Sequence, residues 1–212
     1  MQTTEAAPSR TRGAHHEIVR VRVRPIAILS GPLVIASVAV EFGAVGSPEA
    51  AAGPPGIIAS VLALAGVFAL VVGVIALYAA QSATFGRLGL SGVLLALFGA
   101  TLTLGGIWSQ VFVVPGLHQA APDVLADGGL TTVLIGFVVS YSLLGLGGLL
   151  FGIASLRAAV LPRWTSIVMI VGGVVCFAPL PARYLVLAVA ISLASAQLRS
   201  GVRTTQGEPA IA

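Results

Sequence analysis

The chain has 212 residues, of which 57% are hydrophobic and only 8% are charged, whereas soluble domains carry about 25% charged residues. With a mean hydropathy of +1.04, this composition excludes a disordered chain, a collagen, a coiled coil and a soluble enzyme. Eleven basic and seven acidic residues give a net charge of +4, and every basic residue is arginine. The composition predicts an all-α protein, a polytopic transmembrane helical bundle.

The first 24 residues are polar and contain five of the eleven arginines. We expect this segment, 1–24, to be a disordered cytoplasmic tail that contacts anionic lipid headgroups, because a basic tail beside an apolar span is attracted to them. Nucleic acid is the rejected alternative partner. The apolar stretch that follows could also be a signal peptide cleaved near Ala44–Gly46, but more apolar stretches come after it, which favours an uncleaved first helix.

Turn residues and charges divide the region 25–198 into segments of the length that crosses a ~30 Å hydrocarbon core. We predict about six spans in this transmembrane domain, followed by a polar cytoplasmic tail, 199–212. The last two spans are short, and reading them as one helix gives the alternative of five, although prolines at Pro179 and Pro181 would interrupt that helix. Gln81–Arg87 is predicted to be a short polar connection and 115–129 the longest internal loop. The predicted spans are 25–45, 57–80, 88–114, 130–156, 164–178 and 184–198.

The arginine distribution predicts the orientation. With the N-terminus inside, ten of the eleven arginines fall in inner segments, and only Arg183 falls outside. The sequence therefore predicts a plasma (inner) membrane protein with both termini in the cytoplasm.

Gly148 and Gly152 form a GxxxG motif, which places two small residues on one helix face and allows a second helix to approach closely. One interpretation is homodimerisation, so a homo-oligomer is possible. The other, which we favour, is packing against another helix of the same chain.

Residues with catalytic or ligand-binding chemistry are sparse. His118, Asp123 and Asp127 share the long loop, but their irregular spacing favours a solvated loop over a metal site. The single cysteine, Cys176, permits no internal disulfide. We therefore predict no catalytic residue, no cofactor and no metal site, and we expect the protein not to be an enzyme.

Glu41 and Arg183 are the two charges that fall near the outer edge of the predicted bundle. A lone carboxylate and a lone guanidinium at matching depth are both costly when partly buried, and pairing offsets that cost. The sequence predicts an ion pair between them, with separate extension of each side chain to water as the alternative. Trp108, Trp164 and Tyr184 lie near span ends and are interpreted as interface anchors.

The segment GLGGLLFGIASLRAAVLPRW, at 145–164, is followed by a Gly-rich apolar span and a proline-containing turn. This pattern over 145–183 resembles the C-terminal half of small multi-pass membrane proteins of high-GC bacteria, chiefly actinobacteria. That group has no established activity. The resemblance therefore implies an inner-membrane helical bundle and assigns no site residues.

We expect a non-enzymatic integral membrane protein with a structural or interaction role. The alternative is a small-solute transporter or channel subunit. A polar, water-accessible cavity at mid-depth of the bundle would distinguish the two.

Overall fold

The computed structural model describes residues 23–126, 131–178 and 183–197, and within them the chain is helical, with no strand. This confirms the all-α prediction. The tail residues 1–22 and 198–212 lie outside the described residues. The helices are α1 (Val23–Ala44), α2 (Pro48–Ala52), α3 (Pro54–Phe112), α4 (Val114–Ala120), α5 (Pro122–Ala126), α6 (Thr131–Ala158), α7 (Arg163–Val175) and α8 (Leu185–Gln197).

Three of these helices, α1, α3 and α6, are long and apolar enough to cross a membrane. The apolar helices α7 and α8 have 13 residues each, fewer than the ~20 that a full crossing needs. Helix length therefore supports a membrane protein, with three helices of spanning length in the described part of the chain.

Helix α3 contains 59 residues and is divided by a kink at Gly86, where φ is 58° and ψ is −161°. We name its two parts α3a (54–85) and α3b (87–112). Unkinked, 51 residues of helix would separate Gly56 from Ile107 by about 77 Å. Both residues line one cavity, so the chain reverses direction at Gly86 and the two arms run antiparallel.

The predicted polar connection Gln81–Arg87 is wrong in extent, because helix α3a continues through Phe85 and only Gly86 leaves helical geometry. Gln81 is 1% exposed, and its amide donates to the carbonyl of Leu77 at 3.3 Å. The predicted loop 115–129 contains the short helices α4 and α5; its residues 127–129 lie outside the described part.

The first and last described helices, α1 and α8, are joined by hydrogen bonds at a proline. Pro32 has no N–H to donate to the carbonyl of Ile28, four residues earlier. The Ser192 hydroxyl of α8 donates to that carbonyl at 2.5 Å. The Ser30 hydroxyl lies 2.8 Å from the carbonyl of Ala27 and 3.1 Å from that of Ala188. Across this interface, polar groups of one helix thus satisfy the backbone of the other.

Glycine contacts hold α3b, α6, α7 and α8 together in sequence order. A Cβ on Gly92 of α3b would lie 2.7 Å from the backbone nitrogen of Phe151 in α6. Corresponding contacts at Gly173 and Gly172 of α7 reach the backbones of Leu149 and Leu187, at 2.6 Å and 2.7 Å. Small residues such as glycine permit such close backbone approach, so each of these helices packs tightly against the next.

The outside of the bundle is apolar. Large hydrophobic side chains around it are half or more exposed, for example Phe68, Phe98, Leu134 and Ile167. A monomeric soluble protein seldom exposes so much contiguous apolar surface, whereas lipid covers it without cost.

Candidate functional site: a polar pocket at one end of the bundle

The two ends of the bundle differ in charge. The end that carries the Gly86 kink, the α6–α7 connection and the end of α8 we name the Arg87 end; it holds Arg24, Arg87, Arg157 and Arg163. The opposite end, where α1 finishes and α6 begins, we name the Glu41 end. Of the described charged residues, this end holds all three carboxylates, with Arg183 as its arginine; the carboxylates belong to Glu41, Glu49 and Asp123.

A cavity of about 260 Å³ opens at the Glu41 end. Residues of α1, α2, both arms of α3 and α6 line it, together with the residue preceding α8. The polar side chains of Ser37, Glu41, Ser60 and Gln110 belong to its wall. Its lining residues are Ser37, Glu41, Val45, Ala51, Gly56, Ala59, Ser60, Ala63, Ile107, Gln110, Phe137, Tyr141 and Tyr184.

One wall of the cavity is a stack of three aromatic rings. The Tyr141 ring lies between those of Phe137 and Tyr184, with centroids 5.8 Å and 6.0 Å away and interplanar angles of 19° and 12°. The guanidinium carbon of Arg183 lies 4.6 Å from the Tyr141 ring centroid. This cation–π contact holds Arg183 against the stack.

The predicted partners Glu41 and Arg183 lie at the same end of the bundle. Glu41 and Tyr141 both line the cavity. Glu41 is exposed at the cavity, while Arg183 faces the aromatic ring. The structure thus brings the two residues around Tyr141, and a direct ion pair between them stays a prediction.

The short helices beside the cavity carry the remaining titratable groups of this end. The pKa of the fully exposed Glu49 carboxyl lies below its usual value, mainly because the Ser47 side chain hydrogen-bonds to it. The described residues contain no group of three His, Cys, Asp or Glu side chains that could hold a metal ion. His118 and Asp123 lie on α4 and α5, and Asp127 lies outside the described residues.

Both glycines of the GxxxG motif face other helices of the same chain. A Cβ on Gly152 would lie 2.8 Å from the Ile170 side chain, and one on Gly148 would lie 3.0 Å from Leu187. The motif therefore serves packing against α7 and α8, which is the interpretation favoured from the sequence.

The interpretation of Tyr184 as an interface anchor is wrong, because its side chain is 5% exposed and stacks on Tyr141. Trp108 and Trp164, by contrast, are 51% and 48% exposed, as anchors should be. The aromatic stack could not be found from sequence, since Tyr141 and Tyr184 are far apart along the chain and no local spacing relates them.

The cavity ends at buried Ala63 and Ile107. Ala63 lies nine residues into α3, about 14 Å from its start, so the cavity enters the bundle from one end. Comparisons with protein-family models, curated proteins and solved structures found no match to the chain.

Proposed function

We propose that the chain is a non-enzymatic integral membrane protein with a structural or interaction role. One observation carries this proposal: buried polar side chains bond to neighbouring helices instead of facing an open path. Ser192 bonds to Ile28, Ser30 bonds to Ala188 at 3.1 Å, and Thr165 bonds to Gln197 at 2.9 Å. Such groups tie helices together in a membrane.

We further propose six spans, formed by α1, α3a, α3b, α6, α7 and α8, with both termini in the cytoplasm of the bacterial cell. The reversal at Gly86 supports counting the two arms of α3 separately. Placement of Arg24, Arg87, Arg157 and Arg163 at one end supports a cytoplasmic Arg87 end. The basic tail 1–24 would then meet anionic lipid headgroups from the same side.

The second candidate function is a small-solute transporter or channel subunit that assembles as a homo-oligomer. Two observations favour it. The 260 Å³ cavity presents Glu41, Gln110 and Ser60 at its wall. In addition, among the described residues four buried polar atoms, each on a different helix, have no hydrogen-bond partner: Gln81 Oε1, Ser155 Oγ, Ser166 Oγ and Ser195 Oγ. Waters recruited by such atoms could extend a polar path inward.

Flux measurements on the purified chain in liposomes separate the two functions. We expect no flux of ions or small polar solutes above that of protein-free liposomes. Flux above that of protein-free liposomes would establish the transport function instead, provided that it falls when Gln110→Leu removes a polar side chain from the cavity wall. A Trp108→Leu variant is a suitable control, because that exposed side chain lies two residues earlier on the same helix and on its outer surface.

A further inference from the structure

Two arginines on adjacent helices lie at the same level of the Arg87 end. Helices α3b and α6 are antiparallel: Gly92 contacts Phe151, Ala96 contacts Gly147 and Gly99 contacts Leu144. Each step toward the kink on α3b therefore matches one step toward the C-terminus of α6. Arg87 precedes Gly92 by five residues, and Arg157 follows Phe151 by six, so their levels differ by about 2 Å along the helix axis.

Both arginines face outward. Helical rotation of 100° per residue places Arg87 on the face of Leu94 and Phe98, each 58% exposed, and away from the buried Ala96. Arg157 shares its face with Leu146, which is 41% exposed. Both arginines are themselves exposed. Positive charge therefore stands directly beside apolar surface that lipid chains would cover.

Within the described residues, no carboxylate lies at this end to neutralise them. The described acids are at the Glu41 end, on the far side of the bundle. Arg163 is a third exposed arginine at the same level, because α7 runs antiparallel to α6 with Gly152 against Ile170. Among the described residues, therefore, no carboxylate lies near Arg87, Arg157 and Arg163.

We propose that Arg87 and Arg157 together bind the phosphate of an anionic phospholipid, whose acyl chains cover Leu94, Phe98 and Leu146. A guanidinium offers a planar fork that matches phosphate oxygens, and basic clefts between membrane helices bind anionic headgroups. The apolar face beside the arginines favours a lipid over a soluble phosphate. This inference rests on the proposed membrane-spanning position of α3b and α6.

The test measures phospholipid binding to the purified full chain in neutral detergent by native mass spectrometry. We expect phosphatidylglycerol to bind more tightly than phosphatidylcholine. The double variant Arg87→Gln/Arg157→Gln should weaken phosphatidylglycerol binding about 25-fold, from about fivefold for each guanidinium. Replacing both arginines by lysine should restore part of the lost phosphatidylglycerol binding, because lysine supplies the positive charge but not the planar guanidinium donors.

Arg183→Gln is the matched control, because it removes the same charge from the opposite end, and we expect it to leave phosphatidylglycerol binding unchanged. Equal binding by the double glutamine variant and the wild type would overturn the proposal, as would an equal loss in Arg183→Gln. Displacement of the lipid by inorganic phosphate alone would assign the arginines to a soluble anion and overturn the lipid assignment. Failure here is distinguishable from failure of the six-span arrangement, which labelling from the two sides of the membrane tests separately.

Discussion

Ser192 supplies, across a helix interface, the hydrogen bond that Pro32 cannot make. The proline leaves the Ile28 carbonyl without its intrahelical donor, and the hydroxyl of Ser192 supplies a substitute at 2.5 Å. In a bilayer no water competes for that carbonyl, so the substitute has to come from the protein. The hydroxyl thus stabilises the contact between the first and last described helices.

Ser192→Ala should therefore lower the free energy of unfolding in detergent by about 1 kcal/mol, because a buried carbonyl loses its donor. In a Pro32→Ala background, Ser192→Ala should lower the free energy of unfolding by less, because the N–H of residue 32 can then donate to the Ile28 carbonyl. Ser91→Ala is the control; that exposed hydroxyl bonds to Arg87 within its own helix at 2.8 Å. Equal costs of Ser192→Ala in both backgrounds would show that the serine does not act through the proline.

The predicted pairing of Glu41 with Arg183 is tested by a charge-swap cycle. Glu41→Arg places a second cation near Arg183 around Tyr141, so each single change should destabilise the chain, and Arg183→Glu added to it should restore stability. We expect the double variant to be more stable in thermal unfolding than the two single effects added together. Strict additivity would mean that the charges do not interact, and that Arg183 depends on the Tyr141 ring alone.

At the scale of the helix, the kink in α3 depends on glycine. Gly86 has φ 58° and ψ −161°, a combination that side chains with a Cβ rarely adopt. Its positive φ lets the chain reverse and brings α3b back beside α3a. A glycine here is required by backbone geometry and not by space, since a Cβ would meet nothing within 4 Å.

Gly86→Ala should consequently destabilise the fold by about 1–3 kcal/mol through strain alone. Gly105→Ala provides the matched control, because that glycine is helical and equally open, and alanine there should leave stability unchanged or raise it by up to about 1 kcal/mol. Unfolding of both variants in mixed micelles gives the comparison. If the two alanines have the same effect, the kink does not depend on the backbone freedom of glycine.

Hydropathy predicted where the helices lie but not how α3 turns. The segments 25–45 and 130–156 agree with α1 and α6 to within a few residues, because apolar runs of that length have few alternatives. The polar residues Gln81 and Thr84 suggested an earlier break, yet Gln81 is buried and satisfied in part by Leu77. Hydropathy does not show whether a glutamine is buried, and it does not show which glycine has a positive φ.

The candidate site was predictable only through its charges. Glu41 and Arg183 stand out as isolated ionisable groups in apolar sequence, and both lie at the Glu41 end. Phe137 and Tyr141 lie one turn apart on α6, but Tyr184 joins them only when the start of α8 packs against α6. Contacts of that kind join segments that are far apart along the chain. The spacing of residues within one segment does not predict them.

Across the whole molecule, antiparallel helices and glycine contacts occur together with a division of charge between the two ends. We propose that α3 crosses the membrane twice and reverses at the Arg87 end. A double crossing places Ala83, just before the kink, and Ala120, beyond the end of α3b, on opposite sides of the membrane. Both alanines are exposed, and the single native cysteine, Cys176, is buried.

The most direct measurement is labelling of Ala83→Cys and Ala120→Cys, each in a Cys176→Ser background, with a membrane-impermeant maleimide. In intact cells we expect the cysteine at position 120 to be labelled and the one at position 83 not to be. The cysteine at position 83 should become reactive once the inner membrane is permeabilised. Labelling of both positions in intact cells, or of neither until permeabilisation, would place them on one side and contradict the double crossing of α3.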